Sequence, residues 1–513
     1  MRLATLRSRA TLGVAAPEVT VEVHVANGLP AFSIVGLPEA AVRESKDRVR
    51  GALQNSGFEF PAQRITVNLA PADLPKEGGR YDLPIALGLL AAMGHLPVAA
   101  LAEFEFYGEL ALSGEVRGVS GLFPALVAAI EAGRQVILPQ ANQHEAAMLT
   151  SGQFFSCASL TSVVQHFHAE ASLSQVISTD SDIPELAATA NDLEQVRGQA
   201  LARRALMLAA AGGHNMLMVG PPGSGKTLLA SCLPGILPAL EEREAREVAA
   251  VWSVSQQGYN AEHWRRRPFR NPHHTSSAVA LVGGGSQARP GEISLAHNGV
   301  LFLDELPEYD RKVLEVLREP LESGEVHISR AARQVSYPAR FQLIAAMNPC
   351  PCGYLGDASG QCHCTEDQVQ RYRNKISGPL LDRIDMQLEV PRQSQQLLLN
   401  DQTTTPEESS ATVRAQVQQA RQRQLDRQGC INSLLSQRAL EQYCELTHSD
   451  KQFLVRVMDK MNLSMRAYHR TLRLARSIAD VDAQAQINMS HLSEALMYRR
   501  MDKKSLPGLA DVI

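Results

Sequence analysis

The eight residues Gly220-Pro-Pro-Gly-Ser-Gly-Lys-Thr227 constrain this chain more than any other feature. Their spacing is that of a phosphate loop, with the apolar run Met216–Val219 before it and a helical run over 228–232 after it. Glycines let successive backbone N–H groups converge on phosphate oxygens, Lys226 can reach terminal phosphates, and the Thr227 hydroxyl can ligate magnesium. Gly220, Pro221, Pro222, Gly223, Ser224, Gly225, Lys226 and Thr227 are therefore the candidate nucleotide-binding residues. The alternative is a plain glycine-rich turn, but strand, loop and helix follow one another in the required order. The continuous apolar runs Val300–Leu303 and 343–347 suit central parallel strands covered by helices on both faces, so this part reads as α/β.

Two of those strands end in polar residues. Val300-Leu-Phe-Leu runs into Asp304 and Glu305, where a magnesium-holding Asp and a water-activating Glu are needed, and the pair implies hydrolysis rather than binding alone. Taken by itself, such a pair could simply cap the next helix. The run 343–347 ends in Asn348, a tip able to orient the attacking water, although Asn before Pro349 also makes a plain turn residue.

At ~150 residues per domain, 513 residues predict roughly three domains. In the first, 1–170, Val19, Val21, Val23 and Val25 alternate with polar residues and 64–69 repeats the pattern. Helices are expected over 39–55, 83–93 and 122–132, so this is a second α/β unit, ending near Phe167. Residues 171–190 read as a linker, 191–400 as the phosphate-loop core, and 401–513 as a helical domain behind a polar linker over 400–410.

Lys plus Arg number 50 against 54 Asp plus Glu, a net charge of −4 that excludes a protein coated in positive charge. Residues 414–513 alone hold 16 basic against 10 acidic side chains, plus 6, so the preceding 413 carry −10. Arg466, Arg470, Arg473 and Arg476 lie at helical spacing on one face. No apolar run approaches the ~18 residues that span a bilayer, and Arg2, Arg7 and Arg9 are followed by no hydrophobic core, so no membrane attachment and a cytoplasmic location are expected.

Cys350, Cys352, Cys362 and Cys364 crowd into fifteen positions, and could supply four thiolates to a structural, tetrahedral zinc, with His363 a substitute ligand. Four reduced thiols are the alternative.

The set Gly220 to Thr227, Asp304-Glu305, Asn348, Leu380-Leu-Asp-Arg383 and Ser464-Met-Arg466 resembles the AAA+ ATPases over about residues 192–500. The string Pro268-Phe-Arg-Asn-Pro-His-His-Thr275, followed by Gly283-Gly-Gly285, is similar to their magnesium-chelatase-like subfamily, and with the N-terminal segment the chain resembles the ComM/YifB family of hexameric ring ATPases acting on DNA. The resemblance implies an ATP- and magnesium-dependent hydrolase, a helicase promoting branch migration of recombination intermediates during natural transformation. Its implied partners are single-stranded or branched DNA, its own copies in a homo-hexamer, and recombination proteins. It also implies that Arg383 reaches the neighbouring subunit's nucleotide as an arginine finger and that Arg466 contacts nucleotide from a helical lid; in a monomer Arg383 would have no phosphate to stabilise. Alone, the two would read as a surface and a helix-packing arginine. Two other activities stay open: the ATPase motor of a metal chelatase acting through a partner protein and, more remotely, a Lon-like ATP-dependent protease.

The N-terminal segment resembles the Lon-protease-like (ribosomal S5 domain 2-like) fold at Pro75-Lys-Glu-Gly-Gly-Arg80-Tyr-Asp-Leu83 and Gly114-Glu-Val116. A Lon-type protease needs a serine and an activating lysine. Arg80 stands at the serine's position and Phe123 at the lysine's, so the domain is expected to be non-proteolytic and to serve assembly or DNA contact. For DNA, the expected contacts are the insertion with Arg265, Arg266, Arg267, Arg270, His273 and His274, ending in a flexible Gly283-Gly-Gly285, and a hairpin with Arg330 and Arg333 near its tip. Repeated around a ring they would grip phosphates without reading bases; singly, such clusters are solvated surface.

Overall fold

The computed structural model describes residues 3–178, 191–285, 287–330, 333–357, 360–392, 407–461 and 463–499. Most of the expected 171–190 linker, the first part of the second linker, the hairpin tip at 331 and 332, and the tail from 500 lie outside them.

Alternating burial along Glu18–Ala26 and Arg64–Ala70 puts their valines, Ile65 and Leu69 into one core. These strands sit within an eight-stranded mixed sheet ordered Ser174–Gln175, Gln153–Cys157, Gln135–Pro139, Phe104–Phe106, Leu3–Arg9, Glu18–Ala26, Arg64–Ala70, Ala31–Val35. The sheet thus continues past Phe167, since Ser174–Gln175 pairs antiparallel with Gln153–Cys157. The expected 39–55 helix divides at Glu44 into Ala40–Arg43 and Ser45–Asn55. From the second piece the Ser45 hydroxyl and the Arg48 guanidinium both reach the buried Asp82 carboxylate, the latter at 2.6 Å.

The second sheet has five strands, all parallel, in the order Phe269–Arg270, Val300–Leu303, Gln342–Met347, Met216–Val219, Met386–Glu389. Every residue of the three central strands is buried, which is why they read as continuous apolar runs. The outer pair are short and half polar, and carry too little pattern to be found from sequence.

Helices Ser410–Gln428, Gln437–Tyr443, His448–Met461, Met465–Val481 and Met489–Met497 form the C-terminal part. Val413, Val417, Leu474 and Ile478 share one core with Leu206 and Leu229 of the phosphate-loop half. The N-terminal part is joined as tightly. Phe123 is fully buried with its ring 6.3 Å from those of Tyr259 and Trp264. Its N–H donates to Glu145 Oε2 at 2.9 Å, and the Ser253 hydroxyl donates to the same oxygen at 2.9 Å.

The expected basic face of Met465–Val481 is mostly not a face for ligands. Arg473 donates to the Leu435 carbonyl, Arg476 to the carbonyls of Gln484 and Ala485, and Arg470 to Asp385. These arginines tie helices together, and only Arg466 stands exposed in the first turn. Among the described residues no helix is long and apolar enough to cross a membrane.

Candidate nucleotide site at the strand ends

Parallel strands deliver their C-terminal ends to one edge of the sheet, and open α/β sheets bind ligands there. Val219 lies opposite Met347, and Leu303 opposite Ala345. Gly220, Asp304 and Asn348 therefore follow three adjacent strands at the same edge. Gly220 must be glycine, because a Cβ there would come 2.1 Å from the Val390 carbonyl oxygen. Gly223 and Gly225 adopt left-handed backbone, φ 74° and 87°, which turns the loop into the helix Lys226–Ile236.

Lys226 is buried, and its Nζ donates to the Gly220 and Pro221 carbonyls at 2.7 and 2.9 Å. Burial lowers its pKa, against the opposing pull of Asp304 and Glu305. The same Nζ lies 3.5 Å from Asn348 Oδ1. Thr227 Oγ1 donates to Asp304 Oδ2 at 2.8 Å. Pro221, Pro222 and Ser224 complete the loop, with the Ser224 hydroxyl 3.5 Å from Lys226 Nζ. The adjacent lysine and threonine, the aspartate and the asparagine, drawn from three distant segments, thus converge on one spot.

Glu305 holds the left-handed backbone, φ 52°, uncommon for a residue with a side chain, and its N–H donates to Asp304 Oδ1 at 2.9 Å. Its half-exposed carboxylate meets His274, whose Nδ1 is 3.1 Å from Oε2. The sequence grouped His274 with the positive insertion, and nothing in the spacing links it to Glu305. The link follows from the pairing of Phe269–Arg270 with Val300–Leu303, which brings both chain ends to the same edge.

The insertion is correspondingly less basic outside than its sequence suggests. Arg267 donates to the Pro238 and Asn298 carbonyls and pairs with Glu244; Arg270 grips Glu292 through two bonds, 2.6 and 2.8 Å, over the Trp252 ring. Gly283–Gly284 is a paired strand against Arg289–Pro290 rather than a free loop end. The second candidate is a hairpin, Glu325–Arg330 against Arg333–Pro338, with Arg330 opposite Arg333.

Arg383 is not brought to the phosphate loop. It precedes Met386, which pairs with Met216 at the other end of the strand, so four residues at about 3.3 Å each separate it from Gly220. Its side chain is buried, 2.6 Å from Glu322 and bonded to the Arg318 and Pro379 carbonyls.

The four cysteines do converge. Their Sγ atoms all lie within 4.8 Å of one another, with separations of 3.3, 3.8 and 3.7 Å among Cys350, Cys352 and Cys362. Sulfurs on a tetrahedron of about 2.3 Å Zn–S bonds would be about 3.8 Å apart, so the set fits zinc. Cys352 is drawn down toward the thiolate, first by the backbone N–H of Tyr354, whereas Cys362 and Cys364, despite backbone N–H bonds that lower them, are raised by their bonds to Cys352 and Cys350, so the fit to zinc rests on the geometry. A Cβ on Gly353 would lie 2.8 Å from Pro222, so the cysteine loop abuts the phosphate loop.

A five-stranded parallel sheet with a phosphate loop, an acidic strand end and a polar neighbouring tip defines the AAA+ class of ATPase. Residues 192–398 match the family described as magnesium chelatase, subunit ChlI; 21–142 match subunit ChlI of Mg-chelatase, and 407–499 its C-terminal part. The chain is 50% identical over 503 residues to competence protein ComM of Haemophilus influenzae, covering 98% of each chain. It is 49% and 48% identical to the YifB proteins of Salmonella typhimurium and Escherichia coli, over 504 residues and 98% of each chain. The chain belongs to the ComM/YifB family of magnesium-chelatase-like AAA+ proteins, a family that implies ATPase activity.

Proposed function

We propose that the protein is an ATP-driven hexameric DNA motor, a helicase promoting branch migration of recombination intermediates during natural transformation. The observation that carries this reading is the convergence of Lys226, Thr227, Asp304, Glu305 and Asn348 at adjacent strand ends, in a chain half identical to a competence protein. In this reading the backbone N–H groups from Gly223 to Thr227 hold the phosphates of ATP and Lys226 leaves its carbonyl partners for them. Thr227 and Asp304 would hold the magnesium ion, which would offset phosphate charge. Glu305 polarises the attacking water, Asn348 orients it, and Arg383 from the adjoining subunit stabilises the transferring phosphoryl. Arg466, exposed on the helix Met465–Val481, contacts the nucleotide in this reading.

A structural zinc on Cys350, Cys352, Cys362 and Cys364 would pin the loop after Asn348 against Pro222. The N-terminal domain is read as Lon-like and non-proteolytic. Arg80 is buried with its guanidinium donating to the Ser120 carbonyl at 2.6 Å, and Phe123 is spent on packing, so neither place holds a nucleophile or an activating amine. Single-stranded or branched DNA is the proposed partner, with recombination proteins, in the cytoplasm. Because Arg267 and Arg270 are consumed internally, DNA contact in this reading falls to Arg266 and the hairpin.

The test is ATP hydrolysis and branched-DNA unwinding by the purified protein and by Lys226→Ala. Both activities should be present and lost together. Hydrolysis that DNA neither stimulates nor couples to strand movement would sink the DNA reading. It would favour the chelatase motor, for which the three chelatase-matching segments speak.

A further inference from the structure

The edge of the parallel sheet away from the phosphate loop carries a second polar network, buried and densely hydrogen-bonded. Asp385 is 6 % exposed and accepts from the Asn215 N–H at 2.9 Å and from Arg470. Arg470 donates through the same Nη1 to the Arg383 carbonyl at 3.0 Å, and Asn215 Nδ2 donates to that carbonyl at 3.1 Å. His214, fully buried, bonds Ser477 of the lid helix at 2.7 Å and stands 3.8 Å from Asp385. Arg499 adds bonds to the Ile384 and Asp385 carbonyls. The segment 383–385 is therefore held by side chains of the C-terminal helices, and Arg470 is one helical turn beyond Arg466 on the same face.

We propose that Arg470, with Asp385, is a positioning residue for Arg383: it fastens the lid helix to the backbone that presents Arg383. A lid drawn toward the nucleotide of its own subunit would move the arginine offered to the next one. This rests on the reading of Arg383 as acting across a subunit boundary. A guanidinium that reaches a neighbour's phosphate must leave Glu322 and its two carbonyls, so its backbone needs an anchor that does not leave with it. The buried carboxylate and the two donors on the Arg383 carbonyl supply that anchor. A misplacement of about 1 Å in such a group can cost about 10²-fold in rate.

The experiment compares full-length Arg470→Ala, Arg470→Lys, Arg383→Ala and Lys226→Ala, alone and in mixed rings, at saturating ATP. Arg470→Ala should lose about 10²-fold in kcat while binding a fluorescent ATP analogue as tightly as the parent, since its own phosphate loop is intact. Arg470→Lys should recover much of the rate, because both bonds come from a single nitrogen that an ammonium can replace. Mixing Arg470→Ala with Lys226→Ala subunits should restore hydrolysis, as should mixing Arg383→Ala with Lys226→Ala, because each partner supplies what the other lacks. Recovery with Arg383→Ala but none with Arg470→Ala overturns the proposal, and so does weakened ATP-analogue binding by Arg470→Ala. Full activity of Arg383→Ala alone overturns the cross-subunit reading instead. If Arg470→Ala does not form rings, Asp385→Asn, which keeps an acceptor for Arg470, takes its place in the mixing test. Its rate should fall alone and return on mixing with Lys226→Ala, and no return on mixing overturns the proposal.

Discussion

The two edges of the parallel sheet are built from the same kinds of residue and put them to opposite uses. At the phosphate-loop edge a lysine, two acids and an asparagine are held by partners that can be exchanged: carbonyls for Lys226, a hydroxyl for Asp304, a histidine for Glu305. At the far edge Asp385, Arg470 and Asn215 bond one another and the Arg383 carbonyl in the interior, with His214 bonded to Ser477 beside them. Polar groups whose partners can leave are available to a ligand, whereas groups that complete one another out of water lock the backbone that carries them. The difference lies in burial and in the number of simultaneous partners, not in composition.

The sharpest way to break this comparison is Arg383→Ala. If the far edge exists to present that side chain, hydrolysis in the assembled protein should fall by about 10³-fold or more. A loss of stability with unchanged specific activity would make the far edge purely structural. Next comes Asp385→Ala, which strands Arg470 and should lower unfolding free energy by about 3–5 kcal/mol in denaturant titration. Asp385 also has a sign in pH. Burial pushes its pKa up, but Arg470 and His214 outweigh burial and hold it below the ordinary carboxylate range. Its contribution to stability is therefore present above an unfolded pKa of about 3.9 and lost as pH falls below that toward the folded value. Asp385→Asn should flatten that acid limb of the unfolding curve.

Lys226→Ala probes the opposite edge and should cost about 10²–10³-fold in hydrolysis. Because the mutation removes a cation whose burial is already unfavourable, its melting temperature should stay near the parent's; a large drop would show the loop edge to be as structural as the far one. Cys350→Ser with Cys362→Ser should abolish zinc in elemental analysis, and equal zinc in parent and variant sinks the metal reading. The smallest effects separate two glycines of one loop. Gly220→Ala drives a Cβ into the Val390 carbonyl and should cost about 1–3 kcal/mol. Gly223→Ala meets open space and carries only the left-handed penalty of about 1–2 kcal/mol. Equal costs would mean that the loop is free to shift away from Val390.

Much of the phosphate-loop edge is legible in the sequence because its signals are local. A strand buried on both faces must be apolar throughout, a loop that turns its N–H groups inward needs glycine, and polar residues at strand ends stand out against the run before them. The same locality misleads elsewhere. Arg267, Arg270, Arg473 and Arg476 cluster in sequence as a basic surface, yet each is spent on carbonyls or acids of other segments. Phe123 carries no sequence sign of its role as the anchor of the N-terminal part on Tyr259 and Trp264.

By itself the chain determined the order of its α/β and helical parts, the phosphate loop, the acidic strand end and the clustering of four cysteines, all features of short sequence separation. Only the tertiary structure decided that His274 meets Glu305, that Gly353 rests on Pro222, and that Arg470 reaches Asp385 and the carbonyl of Arg383. Those pairings join residues from tens to more than a hundred positions apart. Which distant side chains meet depends on strand order and helix packing, and these emerge only when the burial of every apolar face is satisfied at once.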